Sequence, residues 1–475
     1  LLRQAALLLV AALTATAPLY TPSQLDTMRQ LQDAALHSDY AYRQTRWLCD
    51  HVGPRLSGSA GAAAAVRYVA GELDRLGLEV HLENVTVPHW VRGAEEGELT
   101  QFAGQSDGLR QKIVLTALGG SVATPPGGIE APVVVVHDYD EFDKLPAERV
   151  QGSIVLFDVP FDQRLAEQGH WFDAYEQAVQ YRGHGAVVAA KRGAVAALVR
   201  SVGGAAYRLP HTGGMRYDAN VVKIPTAAVT AEDADLMARL AGEGALRMRL
   251  LLTPQTLAPA ASANVIADIK GTTRPDEVVI VSGHLDSWDL GTGAIDDAVG
   301  VTAAMATVEL LHELGVRPKR TVRMIAWMNE ENGLAGGRTY AREHQLQVGK
   351  HVAALEADLG AGHPSGFSCH VAPNDLARLE PVRELLQRQG AGVLTLSAEP
   401  GGADVWPLDD LGVPTFGVNQ DGRTYFNYHH TAADTFDKVS AHELAENVAA
   451  LTVLTYALAD GPALEHNPPA HEKAR

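Results

Sequence analysis

Glu277-Val-Val-Ile-Val-Ser-Gly-His-Leu-Asp286 is the stretch on which the fold of this chain turns. Its apolar residues run on without polar alternation and break at Gly283 into His284 and Asp286. A run of this length marks a strand buried on both faces, as in the parallel sheets of α/β proteins. The same texture returns downstream, where Thr321–Met328 ends in Asn329-Glu330-Glu331-Asn332 and Val352–Glu356 ends in Ala357-Asp358-Leu359-Gly360. Helical stretches alternate with these runs over Asp297–Leu314, Gly333–His344, Leu376–Arg388 and Ala441–Leu458, and further strands are expected over Asn264–Ile269 and Val413–Val418. Such alternation predicts an α/β fold with a mixed, mainly parallel sheet covered by helices on both faces.

Working outward, Ser23–Leu48 carries an apolar stripe (Leu25, Met28, Leu31, Ala35) with Ser23 as its N-cap. A second helix is expected over Ala60–Leu76, ended by Gly77, and a strand over Leu78–Val87. From about residue 115 to 250, short runs such as Val133–Val136, Ser153–Phe157, Ala186–Val188, Ala196–Val199 and Ile224–Val229 sit between Gly/Pro turns. They predict a β-rich insertion with few helices. The chain thus divides into one α/β domain in two segments, 23–114 and 256–460, around an insertion at 115–255, with a polar tail at 461–475 that is expected to fray. Residues 1–17 join Arg3 to an apolar run and the small residues Ala15-Thr16-Ala17, the pattern of a signal peptide, so export is expected. No other stretch is apolar for long enough to span a bilayer.

The 475 residues are 46% hydrophobic and 20% charged, an ordinary globular balance. Lys+Arg 39 against Asp+Glu 57 leaves a net charge of −18, which argues against nucleic acid and anionic membranes as partners. Cys49 and Cys369 are too few for a disulfide framework or a four-Cys zinc module, and their pairing is open. No Walker loop or Gly-x-Ser-x-Gly elbow is present.

Ligands of open α/β sheets bind beyond the carboxyl ends of the strands. There this chain delivers His284, Asp286, Glu330, Glu331 and Asp358, with Asp296 in the Gly293–Gly300 loop and His430 in the Tyr428–Asp434 loop. So many carboxylates repel one another unless a cation joins them. Carboxylate with imidazole and no thiolate suits zinc or another divalent metal, and the number of acids suggests two ions sharing one carboxylate. We read His284 as a ligand, Asp286 as the group that fixes its tautomer, and Asp296 as the bridge. Glu330 and Glu331 are adjacent, so their side chains diverge; Glu331 is read as ligand and Glu330 as general base. Each has a plain alternative, since a Glu-Glu pair commonly starts a solvated helix and Asp296-Asp297 suits a helix N-terminus. Their joint occurrence at consecutive strand ends favours the metal.

Gly283–Ser287, Asp296-Asp297 ahead of Gly300, Asn329–Gly333, Glu356-Ala-Asp358 and His430–Thr435 resemble the co-catalytic di-zinc exopeptidases, a family of bacterial aminopeptidases and glutamate carboxypeptidases. Val52–Ser59, Pro88–Gly93, Leu198–Ser201, Pro210–Gly213, Lys223–Thr226 and Val281–Asp289 are similar to a subgroup of secreted dipeptidases, with the likeness running from about residue 24 to 460. The resemblance implies a zinc-exopeptidase domain interrupted by a protease-associated domain. It also implies two zinc ions per chain held by His284, Asp296, Glu331, Asp358 and His430, with Glu330 as base, a cis Asp296–Asp297 bond, peptide substrates and a homodimer. Relatives that cleave acidic tails carry a Tyr before the last ligand; here His429 stands there, either an oxyanion donor or a packing residue. No arginine patch is visible around Gly401–Trp406, and Asp404 is read as a group for a free amino terminus. The expected function is an exported metallodipeptidase acting on dipeptides or short peptides with free termini. A broader di-zinc aminopeptidase and an inactive receptor-like binding protein are the alternatives.

Overall fold

The computed structural model describes residues 18–204 and 207–469, so the expected signal peptide, 1–17, lies outside the described residues. Arg274–His284 lies inside an eight-stranded sheet. In spatial order its strands are Glu79–Val91, Gln255–Ile269, Arg320–Trp327, Arg274–His284, His351–Glu356, Thr415–Gln420, Pro364–His370 and Val393–Leu396. The four strands from Arg320–Trp327 to Thr415–Gln420 run parallel, and antiparallel pairings flank them. Strand period two explains the unbroken apolar runs. Val279 and Val281 enter one core with the helices Val299–Glu313 and Ala441–Asp460, while Val278 and Ile280 enter another with Tyr340 and Leu408. The Val299–Glu313 helix is buried almost all round because it lies between the sheet and the Ala441–Asp460 helix.

A second eight-stranded sheet is ordered Gln111–Ile113, Glu95–Gln101, Arg247–Leu252, Ile129–Val136, Ile154–Phe157, Ala196–Arg200, Thr226–Val229 and Leu115–Ala117. It takes in strands well before residue 115. The ladder between Glu79–Val91 and Gln255–Ile269 in the first sheet continues, after a short break, as the ladder between Glu95–Gln101 and Arg247–Leu252 in the second. Ala94 and Thr253 stay paired across that break. One antiparallel ribbon therefore threads both sheets.

Several expected elements differ. The stretch 115–250 is richer in helix than its texture suggested, and Ala186–Val188 lies inside the helix Trp171–Lys191 rather than in a strand. That helix buries a stripe of small residues (Ala174, Ala178, Gly185, Ala186, Ala189), which gives a weak hydrophobic period. The first helix runs Pro22–His37, is capped by Thr21 rather than Ser23, and breaks before Tyr40–Trp47. Pro22 fills the first helical turn, where its missing N–H is harmless, and so moves the cap back by a residue or two. The stretch 376–388 splits into Pro373–Arg378 and Glu380–Leu386, with Pro381 in the first turn of the second. The beginning of the tail is docked, not frayed. Leu464 is buried, Asp375 accepts the Glu465 N–H at 2.6 Å, and Asn467 donates to the Gly412 and His370 carbonyls, each at 2.8 Å. Cys49 and Cys369 are both buried and free. No described helix is long and apolar enough to cross a membrane.

Candidate metal centre and active site

The parallel strands stop at His284, Trp327, Glu356 and Gln420, and the loops that follow them converge. His284 Nε2 lies 2.9 Å from Asp358 Oδ1 and 3.1 Å from Asp296 Oδ1. His430 Nε2 lies 3.0 Å from Glu331 Oε2 and 3.2 Å from Asp296 Oδ2. Asp296 thus stands between two histidine–carboxylate pairs and turns one oxygen to each. All five expected donors meet in one cup, and Glu330 lies half-buried beside them. Asp296 Oδ2 is buried without a hydrogen-bond partner. An orphaned acceptor between imidazoles, among carboxylates and with no thiolate, fits a zinc-type divalent ion.

The local sequence explains how the donors are held. Gly283 and Gly300 let the strand and the following helix touch, since a Cβ on Gly283 would stand 2.6 Å from the Gly300 carbonyl carbon. Asp297, after the cis Asp296–Asp297 bond, accepts the His284 and Gly300 N–H groups, each at 3.0 Å. Asp434 Oδ1 accepts from Ala294 and Ile295, which pins the segment entering Asp296. Asn329 and His430 adopt positive φ, 77° and 62°, at the turns that aim the acids and the last imidazole. Non-glycine residues in that region cost about 1–3 kcal/mol each and cluster at functional sites.

Asp286 holds the His284 ring through its backbone carbonyl and not through its carboxylate. The ring Nδ1 faces the Asp286 backbone carbonyl at 2.9 Å. The carboxylate instead accepts from the Asn329 and Glu330 N–H groups, at 2.7 and 2.9 Å, and from the Ser57 hydroxyl at 2.8 Å. Beyond the strand end the chain folds its carbonyl under the ring and leaves the side chain to anchor the neighbouring loop. Arg55 completes this support by donating to the carbonyls of Leu285, Gly53, Thr292 and Gly293.

The electrostatics point the same way. Burial alone raises Asp296, but the His284 and His430 imidazoles beside it hold its carboxyl well below the usual carboxylate range. Burial holds Glu331 well above that range, with the Asp296 charge adding to it. Burial likewise raises Glu330, against the pull of His284 and with the push of Asp358 and Asp296. Burial would depress His284, yet the charge of Asp358 and the Asp296 contact keep it well above its ordinary value. Buried acids that resist joint ionisation are what a divalent cation relieves.

His429 stacks on His430 at 3.5 Å between centroids and stands edge-on to Tyr175 and Phe426, a packing environment. Its Nε2 lies 3.6 Å from Asp296 Oδ2. Asp404 is close to the acids but fully buried. Its backbone N–H and that of Val405 donate to Glu356, and a Cβ on Gly337 would lie 2.2 Å from its carbonyl oxygen. Closed in this way, Asp404 offers no surface to a substrate amine, contrary to the sequence reading.

Other contributors carry no local motif. Arg182, on the Trp171–Lys191 helix, is only 8% exposed and has no ion-pair partner among the described residues. Its Nη1 lies 3.4 Å from His430 Nδ1, its Nη2 donates to the Tyr175 hydroxyl at 2.5 Å, and its Nε has no partner. Arg182 thus reaches the cup from a helix packed on the second sheet, far in sequence from residues 401–406. A cavity of about 80 Å³ is lined by Ile295 and Leu359, the chain neighbours of Asp296 and Asp358, and by Tyr425, Tyr428 and Lys438 among others.

Comparison with known proteins follows this geometry. The model of peptidase family M28 matches residues 264–455. Carboxypeptidase Q of Mus musculus is 36% identical over 440 residues, covering 92% of this chain and 89% of the mouse protein. The crystal structure of a peptidase M28 precursor from Shewanella amazonensis superposes with a TM-score of 0.88 at 36% identity, covering 94% of this chain and 99% of that one. A zinc aminopeptidase from Bacillus subtilis shares the fold at 20% identity, with a TM-score of 0.65 over 91% of this chain and 97% of that one.

Proposed function

The chain belongs to peptidase family M28, and from that premise we propose that it is a di-zinc exopeptidase that hydrolyses dipeptides or short peptides with free termini. The observation that carries this reading is the cup in which Asp296 is shared between His284–Asp358 and His430–Glu331. Those five residues would hold two zinc ions with Asp296 as the bridge. Bound there, the ions supply Lewis acidity, activating a water and polarising the scissile carbonyl. Glu330, with its backbone tied to Asp286, takes the proton of the attacking water and returns it to the leaving amine nitrogen. His284 Nδ1 and His430 Nδ1 face the backbone carbonyls of Asp286 and Thr212, which leaves each Nε2 lone pair for the metal.

Arg182 favours a substrate with a free carboxylate over one read only at its amine. A buried guanidinium with no ion-pair partner among the described residues, beside the Tyr175 hydroxyl and next to His430, is chemically matched to a planar anion. The cavity beside Leu359 and Tyr425 takes a side chain. His429 packs behind His430, and Asp404 supports the Glu356 loop. Export is supported by the pattern of residues 1–17, and a homodimer by family resemblance.

The test compares a dipeptide with its N-acetylated and C-amidated forms, with zinc quantified in the same sample. Cleavage of the free dipeptide, with loss on amidation, is expected at about two zinc per chain. Undiminished cleavage of the amide would assign a broader aminopeptidase instead. Replacing Arg182 by Leu should lower kcat/KM for the free dipeptide roughly tenfold to a hundredfold, from about 1.5–3 kcal/mol for a charged hydrogen bond. The amidated substrate should be little affected.

A further inference from the structure

The two halves of the cup are held from different places. On one half, the His284 ring is fixed by the Asp286 carbonyl, and Asp286 is fixed by Asn329, Glu330 and Ser57, all outside the second sheet. The other half leans on the segments around that sheet. Thr212 donates its N–H to the His430 carbonyl at 2.9 Å, and the His430 Nδ1 faces the Thr212 carbonyl at 3.3 Å. Glu331 Oε1 accepts the Trp288 N–H at 3.1 Å. The Trp288 indole belongs to the core of the second sheet and stands edge-on to His430. A Cβ on Gly119 would lie 1.8 Å from that indole, so only glycine leaves room for it.

A single guanidinium ties these supports together. Arg92 holds the Asp289 carboxylate with Nε and Nη2, at 2.8 and 2.7 Å. Its Nη2 also donates to the Thr212 hydroxyl at 3.0 Å, and its Nη1 reaches the Ala117 carbonyl and the Thr116 hydroxyl, both at 2.6 Å, and Glu95 at 2.9 Å. Asp289 follows Trp288, the donor to Glu331, and Thr212 is the acceptor for His430. We propose that Arg92 is a positioning residue for the His430–Glu331 half of the centre, so that the seating of the second sheet sets the affinity of one metal site and not the other. This inference rests on the two-ion reading above.

The full-length holoenzyme is taken through a graded chelator series, with bound zinc measured by elemental analysis and kcat and KM read at each step. Wild type is expected to carry two zinc ions. In Arg92→Gln one ion should persist at wild-type affinity while the other leaves about 10–100-fold more readily, the usual effect of removing a group that orients a ligand. Excess zinc should restore kcat with KM unchanged. Arg92→Lys should fall between, because an ammonium cannot hold Asp289 with two parallel bonds. Thr212→Val, which keeps the carbonyl facing His430 but loses the hydroxyl that Arg92 holds, tests the same link should Arg92→Gln fail to fold. Equal weakening of both ions, or of neither, in Arg92→Lys and Thr212→Val would overturn the inference. A wild type without two zinc ions would overturn the inference together with the reading beneath it.

Discussion

Glu330 shows what a single residue contributes here. It neighbours the donor Glu331, is only half-buried, and has its own N–H fastened to Asp286. Its carboxyl, raised by burial, is suited to receive and release a proton. Glu330→Gln preserves shape and removes basicity, so kcat should drop by about 10²–10⁴-fold while zinc content stays at the wild-type value; elemental analysis beside initial rates checks both. Away from the centre, His351 offers a pH prediction. Its Nε2 lies 2.9 Å from the Tyr340 hydroxyl, and burial pulls its pKa from 6.5 down to about 4. Between those values the unfolded chain binds a proton that the folded chain refuses, so stability is complete above about pH 6.5 and declines as pH falls toward 4. The full difference is about 3 kcal/mol at ~1.4 kcal/mol per pKa unit. Urea midpoints across this window should fall, and the part that disappears in His351→Gln belongs to the ring.

At the level of elements, the residues visible in the sequence are those that a short motif pins to the end of a strand. His284, Asp296, Glu331, Asp358 and His430 each follow a recognisable apolar run or loop signature, and they meet in the cup. The groups that hold them were illegible for a physical reason. Arg182, Thr212 and Arg92 act across pairings between segments far apart in the chain, which no local period records. Asp286 was misread because a side chain and a carbonyl of one residue compete for the same ring, and only the turn geometry decides between them. The Trp171–Lys191 helix escaped because small residues carry its buried stripe. The loop after His284 is also a structural plug for the second sheet. Trp288→Ala should therefore destabilise the protein by about 3–5 kcal/mol, the range for emptying a large aromatic site, measured as a lowered denaturation midpoint. Truncation after Gly461 removes the buried Leu464 and the Asn467 bonds to Gly412 and His370, and should lower Tm without altering KM.

For the molecule as a whole, the concentration of buried acid at one point makes stability dependent on what neutralises it. Chelation should lower Tm, through a loss of about 2.7 kcal/mol of stability per site if free zinc stands a hundredfold above its dissociation constant. Calorimetry with and without chelator reads this directly. The ribbon that threads both sheets has a consequence of a different kind. Because the chain leaves the first sheet at Val91 and re-enters it opposite, at Gln255, the two junctions lie side by side. A short hairpin turn is enough to close that gap, so residues 92–254 enter and leave the first sheet at a single point. Grafting the corresponding segment of the mouse relative onto the same two stumps should keep the five donors of this host and exchange Arg182, Arg92 and Thr212 together, so that any change in zinc retention is expected at the His430–Glu331 half.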